Sequence, residues 1–516
     1  MKRWLTIIFI SLAITIFIYP SAVIYIKDTL PDNNDTRLIA YIIGQVQDNI
    51  LHLQPLFYGR FFAPDVNTLA YSDLFLTSAL ITLPFKLFIS SPIVIFNLAF
   101  IINSTLTLCA AYLLFHYLFK NNWIASLTAL LFTLSGFHLH YYPHLQMFSL
   151  WLFLLSIYFF LRFQKENRII FLTCFFITLT AQIGESIFPA YLIFFTVFIL
   201  FIPSLRVLYS NRRNPRHKDF QAVIKTIKTI TLRSLPFIPF WLLLVFPYLK
   251  LHYSLPEATR PIRDAAHFSL GLEQIFTFYN AYTFIGVFLL ALISSLRGTK
   301  RRSNLHPTSW KITLLFALVM SLGPVIKVLG QTVKILDLPI PLPYALFYYV
   351  FPGFSGFRTP SRFIILALLA ATVLIGYAIA PYVNKIKTKT KIVIMTSILA
   401  LLFFEADLPL KGFPVNINMH PVYQKVKNLP GEAIILELPI KLWTDIDHEI
   451  EPIRTLYTLE HRHRRLGGMS GFATNAWVDL VQQINTDGLT DENRTKLHEI
   501  GVTHVIENNS FSPLKL

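Results

Sequence analysis

Five short stretches of this chain carry residue types that can move a proton or hold an anion. The first is Pro31-Asp-Asn-Asn-Asp35-Thr-Arg, close behind the first apolar run. A carboxylate at a membrane surface can take the proton of an acceptor hydroxyl as that hydroxyl attacks carbon. The same acidic turn can equally cap a helix starting near Thr36, because Asp and Asn accept from free backbone amides. The second is Tyr71-Ser72-Asp73, with Ser72 placed to cap a helix and Asp73 as a candidate substrate-binding carboxyl. The third holds His138, His140 and His144, followed by Gln146. Three imidazoles can ligate zinc, but no Cys or nearby carboxylate completes a tetrahedral set. His144 therefore reads as a contact for a phosphate or sugar, with interfacial anchoring as the plain alternative.

The fourth is Glu185, in Gln182-Ile-Gly-Glu185-Ser between two apolar runs. An ionisable residue at membrane depth is a functional candidate by default. The fifth is Pro352-Gly-Phe-Ser-Gly-Phe-Arg358-Thr-Pro-Ser-Arg362-Phe. Two arginines four residues apart at a helix start can face one way. Their planar forks suit phosphate oxygens, and a helix N-terminus adds partial positive charge. Arg260 and Arg263, in the segment 252–275, are candidates for the same task.

The composition says what must position these groups. Hydrophobic residues make up 54% and charged residues 14% of the 516, and the mean hydropathy is +0.54. A soluble protein carries nearer a quarter charged residues. The net charge of +17 does not point to nucleic acid, because the cations cluster between apolar runs, as in Arg212-Arg213 with Arg216 and Lys218, Lys300-Arg301-Arg302, and Lys385 to Lys391. That is the pattern of cytoplasmic loops. Cys109 and Cys174 both lie in apolar runs, so a disulfide framework is not expected.

Apolar runs long enough to cross a bilayer fall near 4–26, 93–118, 123–141, 144–162, 168–184, 186–205, 234–251, 276–296, 311–330, 361–382 and 391–408, about eleven spans. With the N-terminus in the cytoplasm, eleven spans leave the basic loops inside. The apolar stretch 71–89 holds Asp73, Pro84 and Lys86 and is placed as an interfacial or re-entrant helix. Residues 27–92 then form a long first outer loop with surface helices near 36–51 and 70–89. After about Asp407 the composition becomes that of a soluble protein, with strands at 432–439 and 501–506 and helices near 420–429, 474–485 and 492–500. The expected architecture is an all-α polytopic transmembrane bundle over 1–408, followed by a small extracytoplasmic α/β domain over 409–516.

Several of these stretches together resemble multi-pass membrane proteins with the GT-C glycosyltransferase fold. They are Asn34-Asp35, Leu69-Ala-Tyr-Ser-Asp73-Leu, Ala129 to Gly136 with His144-Leu-Gln146, Ser321-Leu-Gly-Pro324, Leu338 to Phe363, and the closing Ile500-Gly-Val-Thr-His-Val-Ile506. The resemblance runs along nearly the whole chain and is more specific for the group than for an activity. It implies a plasma-membrane enzyme that moves a sugar from a polyprenyl-phosphate donor to an acceptor hydroxyl outside the cytoplasm, with inversion. The acceptor is a glycan, lipid or protein. The role of the first-loop catalytic acid maps onto Asp35. No second acidic motif of the oligosaccharyltransferase type is present, so no cofactor is assigned and a divalent metal stays an open alternative.

A transporter or flippase of lipid-linked glycans accounts for the spans and outer arginines, but not for the acidic first loop, and it calls for charges deeper in the spans. A non-catalytic envelope assembly protein, binding through its C-terminal part, is the third reading. The glycosyltransferase reading places residues 27–92 and the stretch around Arg358 on one side of the membrane. Cysteine labelling in intact cells should find both accessible from outside; opposite sides would end the active-site argument.

Overall fold

An apolar helix satisfies its own backbone N–H and C=O groups, which is what crossing a bilayer requires. The computed structural model describes residues 2–210, 217–296, 307–415 and 419–515, and the protein is predominantly helical with small sheets. Among the described residues, four helices are long and apolar enough to cross a membrane: Pro92–Phe119, Leu145–Glu166, Val223–Ser254 and Pro360–Val383. Shorter apolar helices, among them Trp4–Ile18, Asn122–Leu134, Ile169–Glu185 and Tyr282–Ile293, pack beside them. The expected cytoplasmic cations Arg212, Arg213, Arg216 and Lys300 to Arg302 lie outside the described residues. Only 6% of the most apolar window of Val223–Ser254 is buried, and Phe240, Leu242, Leu243 and Phe246 face outward. A continuous apolar face of that kind marks contact with lipid or another apolar surface.

The expected runs are cut where the sequence breaks them. The run 4–26 divides at Pro20 into Lys2–Ile18 and Ser21–Ile24, since proline has no N–H to continue the ladder. The surface helix expected at 70–89 is one 3₁₀ turn, Thr68–Tyr71, followed by a helix only from Leu76 to Lys86. At 11 residues the latter is far short of the roughly 20 that a span needs.

The helix Asp35–Leu51 sits where the molecule's parts meet. Every residue from Thr36 to Asn49 is buried, with Pro92–Phe119 and Leu76–Lys86 packed beside it along with a C-terminal helix, Ile450–His461. Its polar residues are therefore paired inside the protein. Gln47 donates to Thr82 Oγ1 at 2.9 Å, and Asp48 faces Arg60 at 3.4 Å and Lys86 at 3.8 Å. A short antiparallel pair, Thr29–Leu30 with Phe413–Pro414, joins the start of this region to the start of the C-terminal part.

The C-terminal part holds a four-stranded sheet. Ile434–Leu438 lies between Val502–Glu507 and Arg464–Arg465, parallel to both, and Ser510–Pro513 pairs antiparallel outside Val502–Glu507. The helix Ile450–His461 has no counterpart in the sequence reading. Its polar composition hides its partner, which is not the sheet alone but the helix Asp35–Leu51, reached through Leu459 against Gly44. Arg465 is fully buried and bridges Glu437 and Glu451, the latter at 2.6 Å. Burial would raise the Glu437 carboxyl, but the Arg465 and Arg454 charges outweigh it and hold it below its ordinary value. Removing one partner of such a pair leaves a buried charge unmatched, at a cost of about 3–5 kcal/mol. Glu451→Ala should therefore lower the thermal midpoint of the detergent-purified protein by several degrees and expose the region after residue 419 to protease; an unchanged midpoint would refute the staple.

Candidate functional site

The acidic turn resolves into two carboxylates with different tasks. Asp32 does the capping: its Oδ1 accepts from the Thr36 amide at 2.9 Å, the Asn34 amide at 3.1 Å and the Thr36 hydroxyl at 2.7 Å. With the cap supplied by Asp32, Asp35 at the first helical position is left to face a cavity of about 310 Å³, within the usual range of ligand pockets. His144 Nε2 stands 3.1 Å from Asp35 Oδ2. Although 41% of the Asp35 side chain is accessible, that access opens into the cavity. Burial would raise its pKa, but the hydrogen bond and charge of His144, with the charges of Arg362 and Arg358, hold the carboxyl below the ordinary carboxylate value.

Arg358, Arg362 and Arg260 line the same cavity. The loop that carries the first two is held from behind. Phe354 and Phe363 are fully buried, Tyr191 donates to the Pro352 carbonyl at 2.6 Å, and Tyr344 donates to the Phe357 carbonyl at 3.1 Å. Gly353 turns the chain at φ +73°, a conformation that glycine takes without strain. Arg358 precedes the helix instead of starting it, because Thr359 before Pro360 is held out of the helical region; Arg362 sits in the 3₁₀ turn Pro360–Phe363. Burial and then the neighbouring Arg362 charge push the Arg358 guanidinium below its ordinary value. Burial and the Arg358 charge do the same to Arg260. Arg358 thus stands against both other guanidinium charges, and an anion among them relieves that repulsion.

Asp73 is the second carboxyl lining the cavity. Burial dominates there and raises its pKa, against the pull of Ser186, Arg362 and the Ile187 amide. The two acids are thus pushed in opposite directions, a feature of sites that use carboxyl groups for different purposes. Ser72 is not a helix cap. The following helix begins at Leu76, with Phe75 ahead of it in the left-handed region and no cap of its own. The cap comes from Glu185, whose carboxylate accepts from the Ser78 amide at 2.8 Å and the Ser78 hydroxyl at 2.5 Å, while its backbone carbonyl accepts from the Phe75 amide at 3.1 Å. Glu185 is buried and does not line the cavity; it holds the segment that presents Asp73. The chain of contacts continues from Ser78 to Asn103 and on to Ser149 and Trp151.

The remaining expected residues divide. Of the three histidines only His144 lines the cavity. His138 is buried between the Thr133 and Phe148 carbonyls, each at 2.9 Å, and His140 packs against Phe278 and Tyr279. Arg263 is 87% exposed and makes only a loose pair with Asp264 at 3.9 Å, outside the cavity lining. Among the described residues no cluster of three or more His, Cys, Asp or Glu is arranged to hold a metal ion.

Sequence reasoning missed the roof. Met469, Ser470, Gly471 and Phe472, together with Trp443, line the cavity from the C-terminal part. Arg260 donates to the Gly471 carbonyl, Phe472 stacks on Tyr71 at 4.6 Å, and Asn475 donates its amide to Glu257 at 2.8 Å. A Cβ on Gly471 would lie 2.5 Å from the Tyr71 carbonyl oxygen, so only glycine allows this closure. The run Leu466-Gly-Gly-Met-Ser-Gly-Phe472 was the available signal.

Fold and site together define a helical protein with four described helices long and apolar enough to cross a membrane, and a cation-rich cavity against its C-terminal sheet domain. The family described as a domain of unknown function (DUF6311) matches residues 8–406, and the chain belongs to that family. No curated protein matches it.

Glu185→Leu leaves the Ser78 amide and hydroxyl without their acceptor, a loss of about 1–3 kcal/mol. The variant should melt several degrees lower in detergent, whereas Glu185→Gln, which keeps one carbonyl acceptor, should be milder. Equal behaviour of the two variants would rule out the capping role.

Proposed function

We propose that this protein is a multi-pass membrane glycosyltransferase that uses a polyprenyl-phosphate sugar, and that it works on the extracytoplasmic side of the plasma membrane. The observation that carries the reading is the Asp35–His144 pair in one cavity with Arg358, Arg362 and Arg260. Such a cavity offers a base and an anion site over a single substrate. Part of its wall is apolar, with Ile187, Phe188, Val245 and Leu249, which suits an amphiphile whose charged end meets the arginines. The sequence resemblance to the GT-C fold supports the same reading. In this arrangement about eleven spans put the N-terminus and the basic loops in the cytoplasm and the C-terminal domain outside.

The step is a single displacement. The acceptor hydroxyl forms a bond to the anomeric carbon as the bond from that carbon to the phosphate oxygen breaks. The hydroxyl proton passes to the Asp35–His144 pair, and the electron pair leaves with the lipid phosphate. Arg358 and Arg362 stabilise the charge that grows on that phosphate. His144 holds Asp35 in place and shares the proton.

In a transfer assay with membranes or purified protein, Asp35→Asn should lose at least about a hundredfold in turnover while donor binding stays within about twofold. Arg358→Ala should weaken donor binding itself by about tenfold or more. Because the Asp35 pKa is lowered, activity should persist as pH falls to the ordinary carboxylate range and be lost only below it. Full activity in Asp35→Asn would exclude this mechanism, and movement of lipid-linked glycan across vesicles without transfer would favour a flippase.

A further inference from the structure

Most polar side chains around the cavity have partners in the protein. Four buried atoms on lining residues do not: His144 Nδ1, Gln146 Oε1, Arg362 Nε and Ser470 Oγ. Chemistry sorts them. Arg362 Nε is a cationic donor and matches a phosphate oxygen. His144 belongs with Asp35. The other two are neutral: Ser470 Oγ can donate or accept, and Gln146 Oε1 is the one that a phosphate oxygen cannot satisfy. A carbonyl oxygen only accepts, and an ionised phosphate oxygen has no proton to offer it. A prenyl chain has no polar atom to offer at all.

Resting on the function proposed above, we infer that Gln146 and Ser470 form a subsite that reads hydroxyl groups of the transferred sugar. A sugar hydroxyl donates to Gln146 Oε1 and exchanges a hydrogen bond with Ser470 Oγ, which can act as donor or acceptor. Gln146 is only 9% exposed. It is set two residues beyond His144 in the short helix Leu145–Phe148, between the fully buried Leu145 and Met147. The local backbone thus fixes it beside the Asp35–His144 pair without spending its amide oxygen on the protein. Ser470 comes from the other side, on the loop that Gly471 allows to close on Tyr71. Sugar selection is therefore shared between the helical part and the C-terminal part.

An unpaired buried carbonyl weakens the protein that carries it, and this sets the sign of the test. Gln146→Leu and Ser470→Ala should melt no lower than wild type. The probes are C55 polyprenyl phosphate alone and the same lipid phosphate bearing glucose, galactose, mannose, arabinose or N-acetylglucosamine, titrated against the full-length protein in detergent. Wild type should bind at least one sugar-bearing probe more tightly than the bare lipid phosphate. Each variant should lose that increment, about tenfold, and bind the bare lipid phosphate as wild type does. Absence of any sugar increment in wild type, or variants that keep it, would overturn the subsite while leaving the transferase reading standing. Variants that melt lower and lose bare and sugar-bearing lipid alike would show Gln146 and Ser470 to be structural, which also overturns it. A wild type that fails to bind the bare lipid phosphate would instead sink the parent reading and this subsite with it.

Discussion

The helix Asp35–Leu51 is buried on every side although it is not apolar enough to belong in a membrane. Burial on those terms calls for partners to its polar side chains, and those partners come from elements far apart in the chain: Thr82 for Gln47, Arg60 and Lys86 for Asp48, the Glu449 carbonyl for Arg37. Satisfying them brings the first loop, the long helices and the C-terminal sheet domain together. The first residue of this helix is Asp35, so the packing that buries the helix also aims the carboxylate.

The cavity at its end has an unbalanced charge. Three guanidinium groups face one carboxylate that is held ionised and one that burial drives toward its neutral form. Such a field costs stability in the empty protein and is returned when an anion binds. It also explains why the arginine loop is anchored so heavily from behind by Phe354, Phe363, Tyr191 and Tyr344. Mutually repelling side chains on an unsupported loop would simply move apart.

Two helix starts are capped from a distance by buried or half-buried glutamates. Glu185 caps the helix Leu76–Lys86, and Glu405 accepts from the Thr283 amide at 2.9 Å at the start of Tyr282–Leu296. A carboxylate suits an N-terminus because it accepts from free amides and answers the positive end of the helix. Glu185 stood out in the sequence as an ion at membrane depth. What could not be read there was its partner, because Ser78 lies more than a hundred residues away.

The chain's own pattern determined that the protein is predominantly helical and where its composition changes near residue 407, since apolar runs, proline breaks and charge clusters are local properties; it did not fix every helix, as Ile450–His461 and the broken stretch 70–89 show. It also singled out Asp35, Asp73, His144, Arg358 and Arg362 by type and setting. Tertiary structure decided which of these meet. It gave capping to Asp32 and freed Asp35, took Glu185 and Arg263 out of the cavity lining, and dispersed His138 and His140 into packing. It also closed the cavity with a glycine-rich loop from the far end of the chain. The Asp32 cap and the His138 contacts are short-range choices between competing partners, but the Glu185 cap and the cavity roof depend on contacts between segments more than a hundred residues apart, and no local propensity encodes a distance of that kind.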